Sequence, residues 1–488
     1  MFKLTRFATA GFIALLGGCA VGPNYRRPDG VDGVPVPTQF SNAVEPGFAT
    51  GVVEVRFWEA FKDPTLDQLI TAALAANNDL KIAVANLNAA RADRRSIAYD
   101  LFPTVTATSD YKKGMESQNE LPGYSRDQRR ATDIDAGFDA LWELDLFGRV
   151  RREVEAARAD EQSVQANLRA AQVSVTAEVA RDYFVLRGLQ DQLAVATRNA
   201  DNQLKSLQLT QVRFEAGRGT DLDTARAEAQ LKTTLATIPP LQASIATTIY
   251  TLSVLLGRAP DALTAQLSSP QAIPELPPLN NIGTPETLLR RRPDVQVAER
   301  RLAGATARIG VAVGDMFPKV TFVGAVGYNA NTVGGLGSGG SEAYAYGPGI
   351  TWAAFDLGRV AARIHASRAN ADAALAAYQK TVLAALQEAE SALVIYARAQ
   401  SRTATLKEAA AASDKAARLA HQRYESGLTD FLNVLDAERD ALNAETSLTA
   451  SRTETATDLI AVYKALGGAW QGLGDVVSVK TANSAMSP

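Results

Sequence analysis

The sequence predicts an α+β membrane protein with an internal two-fold repeat, in which very long helices are joined to four β-strands. Three observations carry this prediction. The first is that the chain repeats itself. Phe147-Gly-Arg149 and Leu357-Gly-Arg359 each open an Ala-rich tract, with Gly148 and Gly358 separated by 210 positions, as are Trp142 and Trp352. The same offset relates Arg213-Phe-Glu-Ala-Gly217 to Arg423-Tyr-Glu-Ser-Gly427 and Ala227-Glu228 to Ala437-Glu438, whereas Phe102-Pro103 and Phe317-Pro318 stand 215 apart. A duplicated unit of this length builds a quasi-symmetric object. The second observation is that each tract, from Arg149 to about Ala216 and from Arg359 to about Ser426, lacks proline. Fully helical, each would span roughly 100 Å at 1.5 Å per residue. Such helices survive only by packing along their length, as in a coiled coil. The third is a switch to period two just before each tract.

Taken in order, the chain opens with Met1-Phe-Lys-Leu-Thr-Arg6, then an apolar run from Phe7 to Leu16 and Leu16-Gly-Gly-Cys19. The apolar run is too short to span a bilayer, which needs about 20 residues. Residues 1–18 read as an export signal. The Leu-Gly-Gly-Cys end resembles the bacterial lipoprotein box, which implies that Cys19 is lipidated and becomes the mature N-terminus. Residue 20 is Ala rather than Asp, which by the usual sorting pattern implies delivery to the outer membrane. Residues 19–56 are predicted to be an extended segment lying on the body.

The first repeat, residues 57–266, starts with Phe57-Trp58 and a helix signal at Asp63-Pro64, followed by Leu66, Leu69, Ile70, Ala73 and Leu74 at helical spacing. A second helix runs from about Asn78 to Asp100. A β-hairpin is expected over about 102–145. From Asp133 to Asp145 the even positions carry Ile134, Ala136, Phe138, Ala140, Trp142 and Leu144, and the odd positions Asp133, Asp135, Asp139, Glu143 and Asp145. A long helix over 148–216, a turn at Gly217-Arg218-Gly219-Thr220-Asp221 and a return helix over 221–256 complete the repeat. Pro239-Pro240 is expected to interrupt that return helix, because proline removes a hydrogen bond and clashes with the preceding turn. A connector, 267–285, precedes the second repeat, 286–470. That repeat restarts at Arg290-Arg-Arg-Pro293, with Pro293 in a first helical turn and the arginines read as solvated or paired surface. Its hairpin is expected over about 317–356, its long helix over 358–426, its turn at Gly427-Leu428-Thr429-Asp430 and its return helix over 431–466. Residues 471–488 form a tail.

Each strand is about 10–12 residues long, as a tilted transmembrane strand requires. Four strands cannot close a barrel, and lipid forbids an open sheet edge. Eight strands make about the smallest barrel, with its interior filled by side chains. The alternatives are therefore a sheet outside the membrane or several chains sharing one barrel, with an open pore requiring more than two chains.

Composition excludes much else. With 50 basic against 53 acidic residues there is no broad pull toward nucleic acid or anionic lipid. A single cysteine and two histidines, His365 and His421, leave almost nothing for a disulfide or a His/Cys metal site. Both histidines sit in Ala-rich helical stretches and read as surface or packing residues. No nucleophile–base pattern and no phosphate loop is present, so an enzyme is not expected.

An ordered series of motifs, covering nearly all of the mature chain, resembles the TolC-type outer-membrane efflux channels, in the lipoprotein branch serving resistance-nodulation-division pumps. The series comprises Cys19-Ala-Val-Gly-Pro-Asn-Tyr25, Trp58 to Leu69, Leu289-Arg-Arg-Arg-Pro-Asp-Val295, Phe317-Pro318, Asp356-Leu-Gly-Arg359, Arg423-Tyr-Glu-Ser-Gly427 and Val434-Leu-Asp-Ala-Glu-Arg439. The resemblance implies a homotrimer with a twelve-stranded outer-membrane barrel and a long α-helical barrel in the periplasm, with a periplasmic adaptor and an inner-membrane pump as partners. It implies no cofactor beyond the lipid on Cys19. It also implies that the two helical turns, 217–221 and 427–430, are adaptor-contacting tips, and that Leu432, Asp436 and Arg439 line the periplasmic gate. Those three stand at i, i+4 and i+7, on one helical face. Threefold symmetry would make each a ring, and charge rings set ion selectivity. An ion pair from Arg439 to a neighbouring helix would hold the tip shut. Without the resemblance, Asp436 and Arg439 read as ordinary surface charges. The first turn differs from the second in sequence, so the two tips need not dock alike, and the loops Lys112–Thr132 and Ala330–Ala343 are unmatched. The expected function is passive export of small molecules, with a type I secretion outlet for proteins as the alternative. A coiled-coil spacer would leave the four alternating strands without a purpose.

Overall fold

The computed structural model describes residues 20–28, 36–41, 56–279 and 281–468. The signal segment, Cys19 and the tail 471–488 lie outside the described residues. A 3-10 turn at Phe57–Phe61 precedes α1 (Pro64–Ala76), α2 (Asn78–Tyr99), β1 (Thr104–Met115), β2 (Arg130–Leu144), α3 (Arg149–Glu215) and α4 (Asp221–Leu255). After the short α5 (Thr264–Leu267) and α6 (Pro285–Arg291) come α7 (Pro293–Gly314), β3 (Lys319–Ala330), β4 (Glu342–Thr351), α8 (Leu357–Glu425) and α9 (Phe431–Ala465). Local signals place the starts. Asp63 caps α1 by accepting from the Thr65 and Leu66 amides, and Thr284 caps α6 in a capping box with Thr287; each helix has proline in its first turn.

The chain folds into two compact units that cut across the two repeats. One comprises Met1–Asp29, Asn86–Gln165 and Val297–Gln379; the other comprises Gly30–Ala85, Ala166–Gln296 and Lys380–Pro488.

In the first unit both hairpins join into one antiparallel sheet of order β1-β2-β3-β4. The register is fixed by Thr104 opposite Leu141, Ile134 opposite Ala330 and Lys319 opposite Thr351. The repeat is visible in the hydrogen bonds at the sheet's foot. The Trp142 indole donates to the Leu101 carbonyl at 3.0 Å, and the Trp352 indole, 210 positions later, donates to the Met316 carbonyl at 3.0 Å. Phe147 and Phe317 stack there with ring centroids 4.6 Å apart. The strands run further than the sequence suggested: β1 continues to Met115 and β2 begins at Arg130, so Lys112 and Thr132, expected in a loop, are paired with Asp133 and Lys113. Polar residues at these positions do not break the ladder, because the pairing uses only the backbone.

The second unit is held by an apolar core that includes Phe57, Leu66, Ile70, Val179, Phe184, Leu252 and Leu459. The connector contributes Leu267, Leu279 and Ile282 to it. Arg187, only 1% exposed, sits inside this unit. Its guanidinium donates to Gln190 Oε1 at 2.8 Å, Gln271 Oε1 at 2.9 Å and the Ser269 carbonyl at 3.4 Å, and lies 4.8 Å above the Tyr183 ring. Tyr183 in turn donates its hydroxyl to Asp63. Burial and this hydrogen bond push the phenol up to about 12. Removing the guanidinium strands the acceptor of the buried Gln190, at a cost of about 1–3 kcal/mol, while the exposed Gln271 can turn to water. Arg187→Ala is therefore expected to lower stability by roughly 1–3 kcal/mol, read as a fall in the thermal unfolding midpoint of the detergent-solubilised protein. Arg187→Lys should recover only part of the loss, because an ammonium group cannot span the same acceptors.

Two expectations are corrected here. Pro239 and Pro240 do not interrupt the return helix, since α4 runs through both. Their missing N–H groups leave the carbonyls of Leu235 and Ala236 without helical donors, but both residues are exposed, so those carbonyls can be hydrated. Buried Leu231 and Thr234 before the prolines, and Ile249 and Leu252 after them, fix the helix on both sides. Within the basic run, Arg292 is a buried pin rather than surface. It pairs with Asp294 at 2.7 Å and Glu388 at 2.6 Å and donates to the Ala465 carbonyl at 3.0 Å.

Candidate functional site

Two places carry residues singled out by the sequence: the sheet of the first unit and the hairpin ends of the second.

The four strands are 12, 15, 12 and 10 residues long, and a tilted transmembrane strand needs about 9–11. Register gathers most of the large apolar side chains on one face, with Leu141 and Val323 the exceptions on the other. Val105 lies opposite Ala140, Phe138 opposite Val326 and Val326 opposite Tyr344, while Phe322 lies opposite Trp142 and Pro348. This face is uncovered within the chain: Val326 is 60% and Tyr344 76% exposed. Its charged residues, Lys113, Arg130 and Glu342, sit only at the loop end. The opposite face is polar. Asn329 donates to Asp133 at 2.8 Å and Asp135 at 2.6 Å, and Thr108 donates to Asp139 at 3.0 Å. Among the described residues, the strands β1 and β4 each have a neighbour on one side only, so both sheet edges are open. No helix among the described residues is long and apolar enough to cross a membrane.

In the second unit the two helical turns share one geometry. At the first, Gly217 (φ 69°) follows α3, and the Arg218 amide donates back to the Arg213 carbonyl at 2.8 Å. At the second, Gly427 (φ 73°) follows α8, and the Leu428 amide donates to the Arg423 carbonyl at 2.8 Å. Glycine supplies the left-handed conformation that closes each helix. The restarts differ. Thr220 caps α4 by accepting from the Asp223 amide, whereas Asp430 makes no side-chain cap on α9, and Asn433 instead donates to Thr429 at 2.8 Å. The hairpins are clamped together by a small core of Ala227, Tyr424, Phe431, Val434 and Leu435. Arg213 joins this core, lying 4.2 Å over the Tyr424 ring and donating to the Glu425 carbonyl.

That core uses one face of α9 and leaves the other bare. Phe431, Val434, Leu435 and Glu438 are buried; Leu432, Asp436 and Arg439 are exposed on the far side. Within the chain, among the described residues, neither Asp436 nor Arg439 has an ion-pair partner. The structure thus brings the three sequence-chosen residues onto one exposed stripe, with Arg439 unpaired among the described residues.

Sequence reasoning missed the group directly behind the stripe. The buried Glu438 carboxylate accepts from Ser206 of α3 at 2.6 Å and meets His421 Nε2 of α8 at 2.7 Å, tying three helices together. The available signal was asymmetry between repeats, since His421 replaces Gln211 at the matching position and Glu438 matches an exposed Glu228. The hydrogen bond to Glu438 raises the His421 pKa above its ordinary value, against the opposing effect of burial. A raised folded-state pKa means that the protonated ring's contribution is complete below about 6.5 and is lost as pH rises through the folded value. Amide exchange across residues 419–440 is accordingly expected to accelerate as pH climbs through that window, beyond the intrinsic pH dependence of exchange. His421→Gln should remove the extra step.

Comparison with known proteins follows the same lines. Residues 69–258 and 284–468 match the family described as outer membrane efflux protein. The toluene efflux pump outer membrane protein TtgC of Pseudomonas putida is 31% identical over 482 residues, covering 96% of each chain. Outer membrane protein OprJ of Pseudomonas aeruginosa is 31% identical over 468 residues, covering 95% of each. The solved outer-membrane channel OprN superposes with a TM-score of 0.87 at 42% identity, covering 93% of this chain and 100% of that one.

Proposed function

The chain belongs to the outer membrane efflux protein family and is the outer-membrane channel of an efflux system in a Gram-negative bacterium; from that premise we propose that three copies pool their sheets into one twelve-stranded barrel. The observation that carries this reading is the sheet itself, with its bare apolar face, its polar Asp-bearing face and its two open edges. In hydrocarbon every backbone polar group must find a partner, so β1 of one copy has to pair with β4 of the next. A closed ring of this kind has its apolar face toward lipid and its carboxylates toward water.

The rest of the reading follows from the second unit. The stripe of Leu432, Asp436 and Arg439 turns inward as three stacked rings and forms the periplasmic gate. The turns 217–221 and 427–430 receive a periplasmic adaptor, which an inner-membrane pump engages. Cys19 carries a lipid tether. Transport through the channel is passive, with energy supplied by the pump, and the cargo is small molecules. TtgC is named for toluene efflux, and a pump outlet is favoured over the protein-secretion outlet also considered from sequence.

Strand sharing is tested by cross-linking. The sequence has a single cysteine, Cys19, so a cysteine introduced on β1 together with one on β4 forms disulfides only where the two edges meet. Some register of such pairs should yield covalent trimers in outer-membrane fractions. Monomers alone at every register would rule the shared barrel out.

A further inference from the structure

The segment just after Cys19 is gripped rather than merely laid on the first unit. Arg152, at the start of α3, is buried with 4% of its side chain exposed. It reads three consecutive carbonyls of the segment, donating to Val21 at 3.0 Å, Gly22 at 3.3 Å and Ala20 at 3.4 Å, and it reaches Asn24 Oδ1 at 2.7 Å. The Val21 amide completes the contact by donating to the Phe147 carbonyl at 3.0 Å. Further along, Tyr25 donates to Glu299 of α7 at 3.3 Å, with the Arg300 guanidinium 5.8 Å from its ring.

The groove is shaped for backbone and nothing larger. Gly22 has φ +89°, and a β-carbon there would lie 2.4 Å from the Gly310 α-carbon. At Gly148, φ +82°, a β-carbon would lie 2.5 Å from the Ala20 α-carbon. One at Gly310 would strike the Arg152 side chain at 2.7 Å. A guanidinium that satisfies several oxygens from a fixed fork loses little freedom on binding, so the site is preorganised for a peptide with glycine and, two residues later, asparagine.

We propose that the α3–α7 groove closed by Arg152 is the docking site of the mature N-terminal segment, and that Arg152 is the positioning residue fixing where its tether leaves the protein. Ala20 is held against Gly148, where β2 gives way to α3. A lipid attached one residue upstream therefore starts from the foot of the sheet and sets the height at which the sheet meets the bilayer. This last step rests on the lipid tether proposed above; the docking itself does not.

Hydrogen exchange on the full-length protein in detergent tests the docking. In Arg152→Gln, exchange of the Val21 amide should accelerate on the order of tenfold or more, because the charged hydrogen bonds that hold the segment are gone. Core peptides around Val179 should keep their protection, which separates loss of docking from general unfolding. Gly22→Ala should free the same amide with Arg152 intact. Glu155→Gln, which touches Arg152 away from the segment, should leave it slow. An unchanged Val21 rate in both Arg152→Gln and Gly22→Ala overturns the proposal. The tether is checked separately by the mass of the N-terminal peptide from outer-membrane protein. An unlipidated peptide with normal docking would sink the height-setting role alone.

Discussion

Arg439→Gln is expected to turn a channel that conducts in rare, small steps into one with frequent, larger steps in planar bilayers. Arg439 lies on the bare stripe of α9 with no carboxylate partner in its own chain among the described residues, one residue beyond the buried Glu438 that fixes the helix. In a threefold ring its ion-pair partner must come from a neighbouring copy. A hydrogen bond to a charged group contributes about 1.5–3 kcal/mol, and symmetry repeats it three times. Moving a two-state gate from 1:99 to 99:1 takes about 5.5 kcal/mol, so the loss of three such links is of the size needed to swing it. Asp436→Asn should also enlarge the steps if Asp436 is the partner, and the paired reversal Asp436→Arg with Arg439→Asp should then restore the closed behaviour. Ion selectivity supplies a second reading: three Asp436 carboxylates around a narrow pore favour cations, so Asp436→Asn should shift the reversal potential toward anions and Arg439→Gln should not. Conductance and selectivity matching the wild type in both variants would return the two residues to ordinary surface charges.

The architecture was largely legible in the sequence, for reasons that can be traced to particular residues. Period two from Ile134 to Leu144 holds because successive side chains go to opposite faces and backbone pairing leaves that alternation intact, with Leu141 the one large apolar residue in the odd row. Asp63-Pro64 and Thr284-Pro285 mark helix starts through local hydrogen bonds, which is why they survive without knowledge of the fold. What stayed hidden depends on distant partners. Arg152 looks like any arginine in an Arg-rich helix start until Ala20, Val21 and Gly22 arrive beside it. Glu438 and Glu228 match across the repeat, yet one is buried with His421 and the other is exposed. The proline pair misled because a local rule prices the lost hydrogen bonds but not the packing on either side that keeps α4 helical. Arg187, inside the second unit with amides and an aromatic ring around it, carries no sequence mark of burial at all.

Val326→Arg is expected to prevent accumulation of the protein in the outer membrane, whereas Ala325→Arg, one residue earlier, is expected to leave assembly intact. The two side chains point to opposite faces of β3: Val326 shares its face with Phe138 and Tyr344, and Ala325 shares its face with Asp139 and Ala345. An arginine on the lipid face near the bilayer midplane costs about 2–4 kcal/mol, and the proposed ring carries it three times, a total comparable with the 5–15 kcal/mol that separates a folded domain from its unfolded chain. On the water face the same charge is solvated and costs little. There it stands beside the Asp139 carboxylate row, so its effect should fall on conduction, reducing the preference for cations. Heat-modifiable trimers in outer-membrane fractions measure assembly, and reversal potentials in bilayers measure selectivity. A water-exposed sheet outside the membrane would tolerate arginine equally at both positions, because Val326 and Ala325 are each exposed in the single chain. With a bilayer on one side and water on the other, neighbouring residues of one strand differ by several kcal/mol.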